Sequence, residues 1–168
     1  MSLPKVADRL QPALLDRLRD DEPQSAVEAP EQRVLGRARL REAVLRDLSW
    51  LFNATRLSAQ VPLEAYPQVM RSVLNFGLPS LSGLTASSVD AVSLETDVRR
   101  AILDHEPRIL AETLRVEAQV SDDQLHQHNQ ISFRITGQLW AQPVPLELLL
   151  HTDVDLETGR VDVRELLR

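Results

Sequence analysis

The side chains that could carry chemistry are few, and their spacing supports little of it. Asp122, Asp123, His126 and His128 share one polar stretch, a carboxylate and imidazole set of a type that suits zinc. That stretch joins two segments of alternating apolar residues and reads as a solvated hairpin loop, so no metal site is assigned. Glu106 could act as the acid of a sugar hydrolase, with Asp104, Asp122 or Asp123 as its partner. Such chemistry needs one carboxyl in an apolar pocket and a second about 5–10 Å away across a cleft. Three phenylalanines, two tryptophans and one tyrosine leave little to stack a sugar ring. The five glycines, at 36, 77, 83, 137 and 159, never cluster as a phosphate loop requires, and no Gly-x-Ser-x-Gly elbow occurs. Without cysteine there is no disulfide framework, thiolate zinc, iron–sulfur cluster or thiol nucleophile. The sequence therefore predicts no catalytic residue and no cofactor.

One local feature stands apart from this background, the run Glu106-Pro107-Arg108. Proline fixes a backbone dihedral, so the glutamate and the arginine are presented from a stiff corner. Arg108 could grip a partner carboxylate with two parallel hydrogen bonds, and Glu106 could accept from a partner arginine or backbone amide. The plainer alternative is that Pro107 only ends a helix and its neighbours are solvated.

The elements that must position these residues follow from periodicity. Prolines 4, 12, 23 and 30 punctuate residues 1–32, where only 12–19 has helical character, with Leu14, Leu15 and Leu18 on one side. So short a helix cannot stand alone in water and must dock on a surface, its own or a partner's. The acidic run 20–31 reads as a linker. Residues 33–53 carry the strongest helix signal, a stripe of Leu40, Val44, Leu45, Leu48, Leu51 and Phe52, with Arg33, Arg37 and Arg41 as a ridge on the exposed face. Residues 69–84 predict a short extended stretch and an ordered loop, because Gly77, Pro79 and Gly83 disfavour helix. A second helix spans 87–104, with Val89, Val92, Leu94, Val98, Ala101 and Ile102 as its apolar side and Ser93 capping its main part. Beyond Arg108 the pattern is strand-like: Leu114 to Val120, Ile131 to Leu139, Leu146 to Asp155, then the turn Glu157-Thr158-Gly159 into Val161 and Val163. The expected fold is α+β, a two-layer domain: a mostly antiparallel sheet of about four strands covered by two amphipathic helices, plus an N-terminal arm. Residues 1–32 form the arm and linker, and 33–168 a single domain.

The 168 residues suffice for one sizeable core. A formal charge of -6 makes nucleic acid an unlikely main ligand. No run approaches the roughly 20 apolar residues of a membrane span, and the first 21 lack a signal peptide's apolar centre, so neither nucleic acid binding nor direct membrane insertion is expected. The charge is unevenly distributed: residues 1–32 hold seven acids and four bases, 33–103 six and nine, 104–168 twelve and six. A basic middle lies between two acidic ends, which suggests a basic helix ridge and an acidic sheet facing different neighbours.

At the Glu-Pro-Arg corner the sequence resembles the TssE family of type VI secretion baseplate subunits, which is similar to the small wedge protein of contractile phage tails. The matching pieces are Leu14-Leu15-Asp16-Arg17-Leu18, Val44-Leu45-Arg46-Asp47-Leu48 with Trp50-Leu51-Phe52-Asn53, Ser72-Val73-Leu74-Asn75-Phe76-Gly77-Leu78-Pro79, the Glu106-Pro107-Arg108 corner, and Asp155-Leu156-Glu157-Thr158-Gly159. They follow the family's order, although Ser80 stands where many members carry aspartate. The resemblance implies a cytoplasmic, non-enzymatic adaptor in a baseplate docked to the inner face of the inner membrane. It implies TssF and TssG as wedge partners, the TssB–TssC sheath as the polymer that starts there, and TssK among further baseplate contacts. It assigns protein contact to Glu106, Pro107 and Arg108, which hold the wedge core together. The arm residues Leu14, Leu15, Arg17 and Leu18 and the ridge Arg33, Arg37 and Arg41 are further interaction candidates. Sheath contact in this class resembles strand exchange at a sheet edge, with Val161 to Arg164 and Leu110 to Val120 as candidate edges. Two alternatives stand beside it: a lysozyme-like peptidoglycan hydrolase with Glu106 as acid, and a regulatory anti-adaptor that binds a response regulator.

Overall fold

The structure, a computed structural model, describes residues 13–18, 24, 36–83, 90–119 and 129–166. Among the described residues four α-helices precede four strands: α1 (Leu14–Leu18), α2 (Arg37–Phe52), α3 (Pro67–Met70), α4 (Ala91–His105), β1 (Arg115–Gln119), β2 (Gln130–Leu139), β3 (Leu146–Asp155) and β4 (Val161–Glu165). The strands form one antiparallel sheet in the order β1-β2-β3-β4. The fold is the expected α+β arrangement, with α2 and α4 covering the sheet's apolar face.

Period-two alternation sets that face. Phe133, Ile135 and Leu139 of β2 lie inward with Leu146, Leu148, Leu150 and Val154 of β3, and Phe133 sits opposite Thr152 in the register. A slip of one residue would turn every one of these side chains to water, so the pattern fixes the register. Leu40, Val44, Leu48, Leu51 and Phe52 of α2 complete one core with Leu94, Val98, Ala101 and Ile102 of α4. Each large side chain buried this way contributes roughly 2 kcal/mol.

Several expectations need correction. Val92 is 68% exposed and not on the apolar side of α4, because it precedes Leu94 by two residues, about 200° around the helix. The cap is Asp90, whose carboxylate accepts from Val92 N at 3.1 Å, while Ser93 Oγ donates to that same carboxylate at 2.6 Å. In place of the extended stretch expected from residue 69, helical turns stand at Pro67–Met70 and Val73–Asn75, and Leu78 bridges Thr55. Proline at N1 presets the first of these turns. Asp122, Asp123, His126 and His128, weighed above and not assigned as a metal site, lie outside the described residues, as does Val120.

Residues 54–78 form a lobe closed at its neck. Leu78 N donates to Ala54 O at 2.9 Å and Arg56 N to Leu78 O at 2.8 Å. Gly77 makes this closure possible: its φ is +121°, and a Cβ would stand 2.2 Å from Ala54 O.

On the sheet's other face Asp153 gathers Ser132 Oγ (2.6 Å), His151 Nε2 (2.9 Å) and Arg164. Partial burial opposes its charge, yet the Ser132 hydrogen bond and the charges of His151 and Arg164 prevail and hold its pKa below the ordinary 3.8. A depressed carboxylate pKa adds stability above 3.8 that is lost as pH falls through the folded value. Asp153→Asn is therefore expected to flatten the fall in urea midpoint between about pH 4 and pH 2 and to change its slope little above pH 5. Gly77→Ala is expected to cost about 3 kcal/mol or more in urea denaturation, from strain and backbone collision at the neck.

Candidate functional site

The Glu-Pro-Arg corner closes on itself. At the end of α4, Glu106 N donates to Ile102 O at 2.8 Å, and Ile109 N returns to Glu106 O at 3.2 Å, so the chain turns tightly around Pro107. The Glu106 side chain is 4% exposed. Arg108 grips it twice, Nε to Oε1 at 2.7 Å and Nη2 to Oε2 at 2.5 Å, and Arg108 N adds a third bond at 3.2 Å. Parallel contacts of this kind are the strong form of an arginine–carboxylate pair. Proline holds the two partners one residue apart and preorganises the clasp.

From this clasp a chain of charges runs through the molecule. Arg108 Nη2 also donates to Asp47 Oδ2 of α2 at 2.6 Å. Asp47 Oδ1 accepts from Arg46 Nε at 2.9 Å, and Arg46 Nη1 reaches Asp16 of α1 at 2.7 Å. The Arg46 guanidinium also lies 5.2 Å from the Trp50 ring centroid, a cation–π contact. Burial works against the charge on Arg108, but the hydrogen bonds and charges of Glu106 and then Asp47 outweigh it and raise its pKa further. Arg46 is raised in the same sense: burial lowers it, and Asp16 and Asp47 prevail.

The arm and the corner, remote in sequence, are thus joined through the Arg46-Asp47 pair of α2. Asp16 docks α1, while its leucines stay outward: Leu14 is 73% and Leu18 74% exposed, and Leu15 is also exposed. Beside them a groove of about 480 Å3 runs along Ala13, Trp50, Phe76, His105 and Pro107. Asp47, Glu106 and Arg108 of the charge network line the same groove. The sequence reading missed Asp16, Arg46, Asp47 and Trp50 as site residues, although all four stand inside the matching pieces.

The remaining candidates separate. Arg37 is exposed. Arg41, expected on the exposed ridge, turns to the sheet instead, pairing with Glu165 at 3.3 Å and donating to Glu147 O at 3.1 Å. Arg33 and the side chain of Arg17 lie outside the described residues. Glu106 offers no free oxygen to a glycosidic bond, since Arg108 occupies both.

Among the described residues, one side chain guards each sheet edge. Glu95 Oε1 accepts from Ala118 N of β1 at 2.6 Å. Asn53 binds both edge groups of Val161 on β4, donating to its O at 2.8 Å and accepting from its N at 3.0 Å. By the alternation of an antiparallel ladder, Val163 and Glu165 also point their backbone groups outward.

One family matches the chain, Baseplate wedge protein gp25, over residues 38–144. No curated protein and no solved structure matches it. The matched span contains α2 from its second residue on, the lobe, α4, the corner and the first two strands.

The buried clasp sets a clear expectation. Glu106→Gln removes the charge that Arg108 faces, and urea denaturation is expected to show a loss of about 3 kcal/mol, because a part-buried guanidinium loses its closest counterion. A loss below about 1 kcal/mol would mean that Asp47 alone sustains Arg108.

Proposed function

Since the chain belongs to the family of baseplate wedge protein gp25, whose role is structural, we propose that it is the TssE-type adaptor of a type VI secretion baseplate. In this reading it binds beside TssF and TssG, with TssK among the further subunits, and founds the TssB–TssC sheath at the inner face of the inner membrane. No helix among the described residues is long and apolar enough to cross a membrane, so its place there would come through partners.

The observation that carries the reading is the joining of arm and corner by Asp16, Arg46, Asp47, Arg108 and Glu106. An enzyme has no evident use for leucines held outward by a part-buried ion network. An adaptor does, because Leu14, Leu18 and Trp50 supply apolar anchors and the network fixes their placement. The Glu-Pro-Arg corner then acts on the wedge partners by shaping the surface, with Pro107 exposed on it.

For the sheath, strand addition at an edge supplies main-chain hydrogen bonds. β4 is the favoured edge, because Val163 and Glu165 extend outward beyond the one position that Asn53 occupies. Neither the hydrolase nor the anti-adaptor has an observation in its favour.

Co-purification of the full chain with TssF–TssG and with sheath subunits tests both contacts. The exposed double substitution Leu14→Ser and Leu18→Ser is expected to weaken wedge binding at least about tenfold. Val163→Pro removes one outward N–H, which an edge strand tolerates, and is expected to spare wedge binding while stopping sheath initiation. Loss of initiation with Val116→Pro in β1 and not with Val163→Pro would move the sheath contact to the other edge.

A further inference from the structure

The guard on β4 is an amide that imitates a strand. Asn53, the C-cap of α2, donates from Nδ2 to Val161 O at 2.8 Å and accepts at Oδ1 from Val161 N at 3.0 Å. A carboxamide carries the same donor and acceptor as a peptide unit, so Asn53 stands where a neighbouring strand's backbone would stand. Its Nδ2 also donates to Ser49 O at 2.8 Å, which ties the amide to the last turn of its own helix. The guard on β1 is only half as complete. Glu95 accepts from Ala118 N at 2.6 Å, and an ionised carboxylate has no donor to offer the strand's carbonyls.

Helix α2 carries this guard along the strand. Arg41, Leu45, Ser49 and Asn53 stand four residues apart and form one row on the helix surface. One end of the row meets β4 at Glu165, through Arg41 at 3.3 Å, and the other meets it at Val161. Leu45 of the row and Val163, midway along β4, are each partly buried and packed against the core. The alternation that turns the backbone of Val161 toward Asn53 turns the N–H and C=O of Val163 and Glu165 the same way. Among the described residues nothing bonds to those groups. The edge is thus closed at one position and open at the next two.

We propose that Asn53 is a register stop, which ends the pairing of an added strand at Val163 and so fixes which residue of that strand lies opposite Val163. This rests on the reading above that a sheath segment adds to β4. A strand sliding along the edge must move in steps of two residues to keep the same side chains on the α2 side. The first such step toward Val161 would displace both bonds of Asn53, so the slipped register forfeits contacts that the stopped one keeps. Pairing therefore runs over Val163 and Glu165 and leaves Val161 to Asn53. The incoming residue opposite Val163 shares its face, beside a partly buried apolar side chain, and a β-branched residue fits there.

The test compares the full chain with N53A, free and with sheath subunits, by amide hydrogen exchange resolved at single residues. In the free chain the Val161 amide is expected to exchange at least about tenfold faster in N53A, while Asp162 and Arg164, which pair with β3, stay unchanged. With sheath subunits, new protection is expected at Val163 and Glu165 in the parent chain and to reach Val161 in N53A. The chain has no cysteine, so R164C provides a single thiol, on a side chain 60% exposed, to cross-link with a cysteine-scanned sheath strand. The cross-linked position is expected to shift by two residues when N53A is added. Asn53 is exposed, so circular dichroism is expected to show unchanged folding, and N53D, which keeps the size and the acceptor but loses the donor, is expected to fall between the two chains. Unchanged Val161 exchange in free N53A would overturn the stop. So would the same cross-linked position with and without Asn53, even at weaker binding, since a mere tie between α2 and β4 would alter affinity and not register; the β4 contact would then still stand. No protection at Val163 or Glu165 in either chain would overturn the β4 contact itself, and the stop with it.

Discussion

The contact on which the rest depends is the double engagement of Arg108, with Glu106 beside it in the chain and Asp47 across from it on α2. It fixes the direction in which the chain leaves α4 and enters the sheet, and it sets α2 at that junction. Through Arg46 the same charges order α1, a five-residue helix with no stability of its own. Hydrophobic burial supplies most of the free energy of this fold, but it is indifferent to direction. The ion network supplies direction where the leucines cannot.

Burying a glutamate is costly unless its charge is matched, and exchanging a buried ion pair for apolar residues is often neutral or stabilising. The corner therefore makes little sense as a device for stability alone. It makes sense as a device for placement, because a guanidinium held by two carboxylates has few alternative positions. Pro107, Trp50 and the leucines of α1 are exposed around it, and their mutual positions follow from it. In the proposed adaptor role, that certainty of placement would matter more than another kilocalorie.

The sheet and both long helices were legible in the sequence because their signals are local and periodic. Phe133, Ile135, Leu148 and Leu150 alternate as a half-covered sheet must, and Leu40, Val44, Leu48 and Leu51 recur as a helix stripe must. The corner was legible as a place, from Pro107 and its charged neighbours, but its partners were not. Asp47 lies 61 positions from Arg108, and Asp16 lies 30 from Arg46, and no spacing rule links residues so far apart. Val92 misled for a different reason: in a helix an apolar residue type is weak evidence of burial without its angle. The lobe was illegible as a unit, since its closure depends on two backbone bonds between Ala54, Arg56 and Leu78, groups that every residue carries.

The uneven charge along the chain also changes meaning. Counted in sequence, a basic middle between acidic ends suggests two faces for two neighbours. In space much of it cancels within the molecule: Arg41 meets Glu165 from the acidic end, Arg46 meets Asp16 from the acidic beginning, and Asp47 turns back to hold Arg108. Helix α2 is basic because acidic segments from both ends of the chain converge on it. Opposite charges far apart in sequence act here as long-range register marks, making the wrong docking of arm, helix and sheet repulsive as well as poorly packed. The charge that stays uncompensated is elsewhere: among the described residues the guanidinium groups of Arg99 and Arg100 meet no carboxylate, while those of Arg41 and Arg46 do.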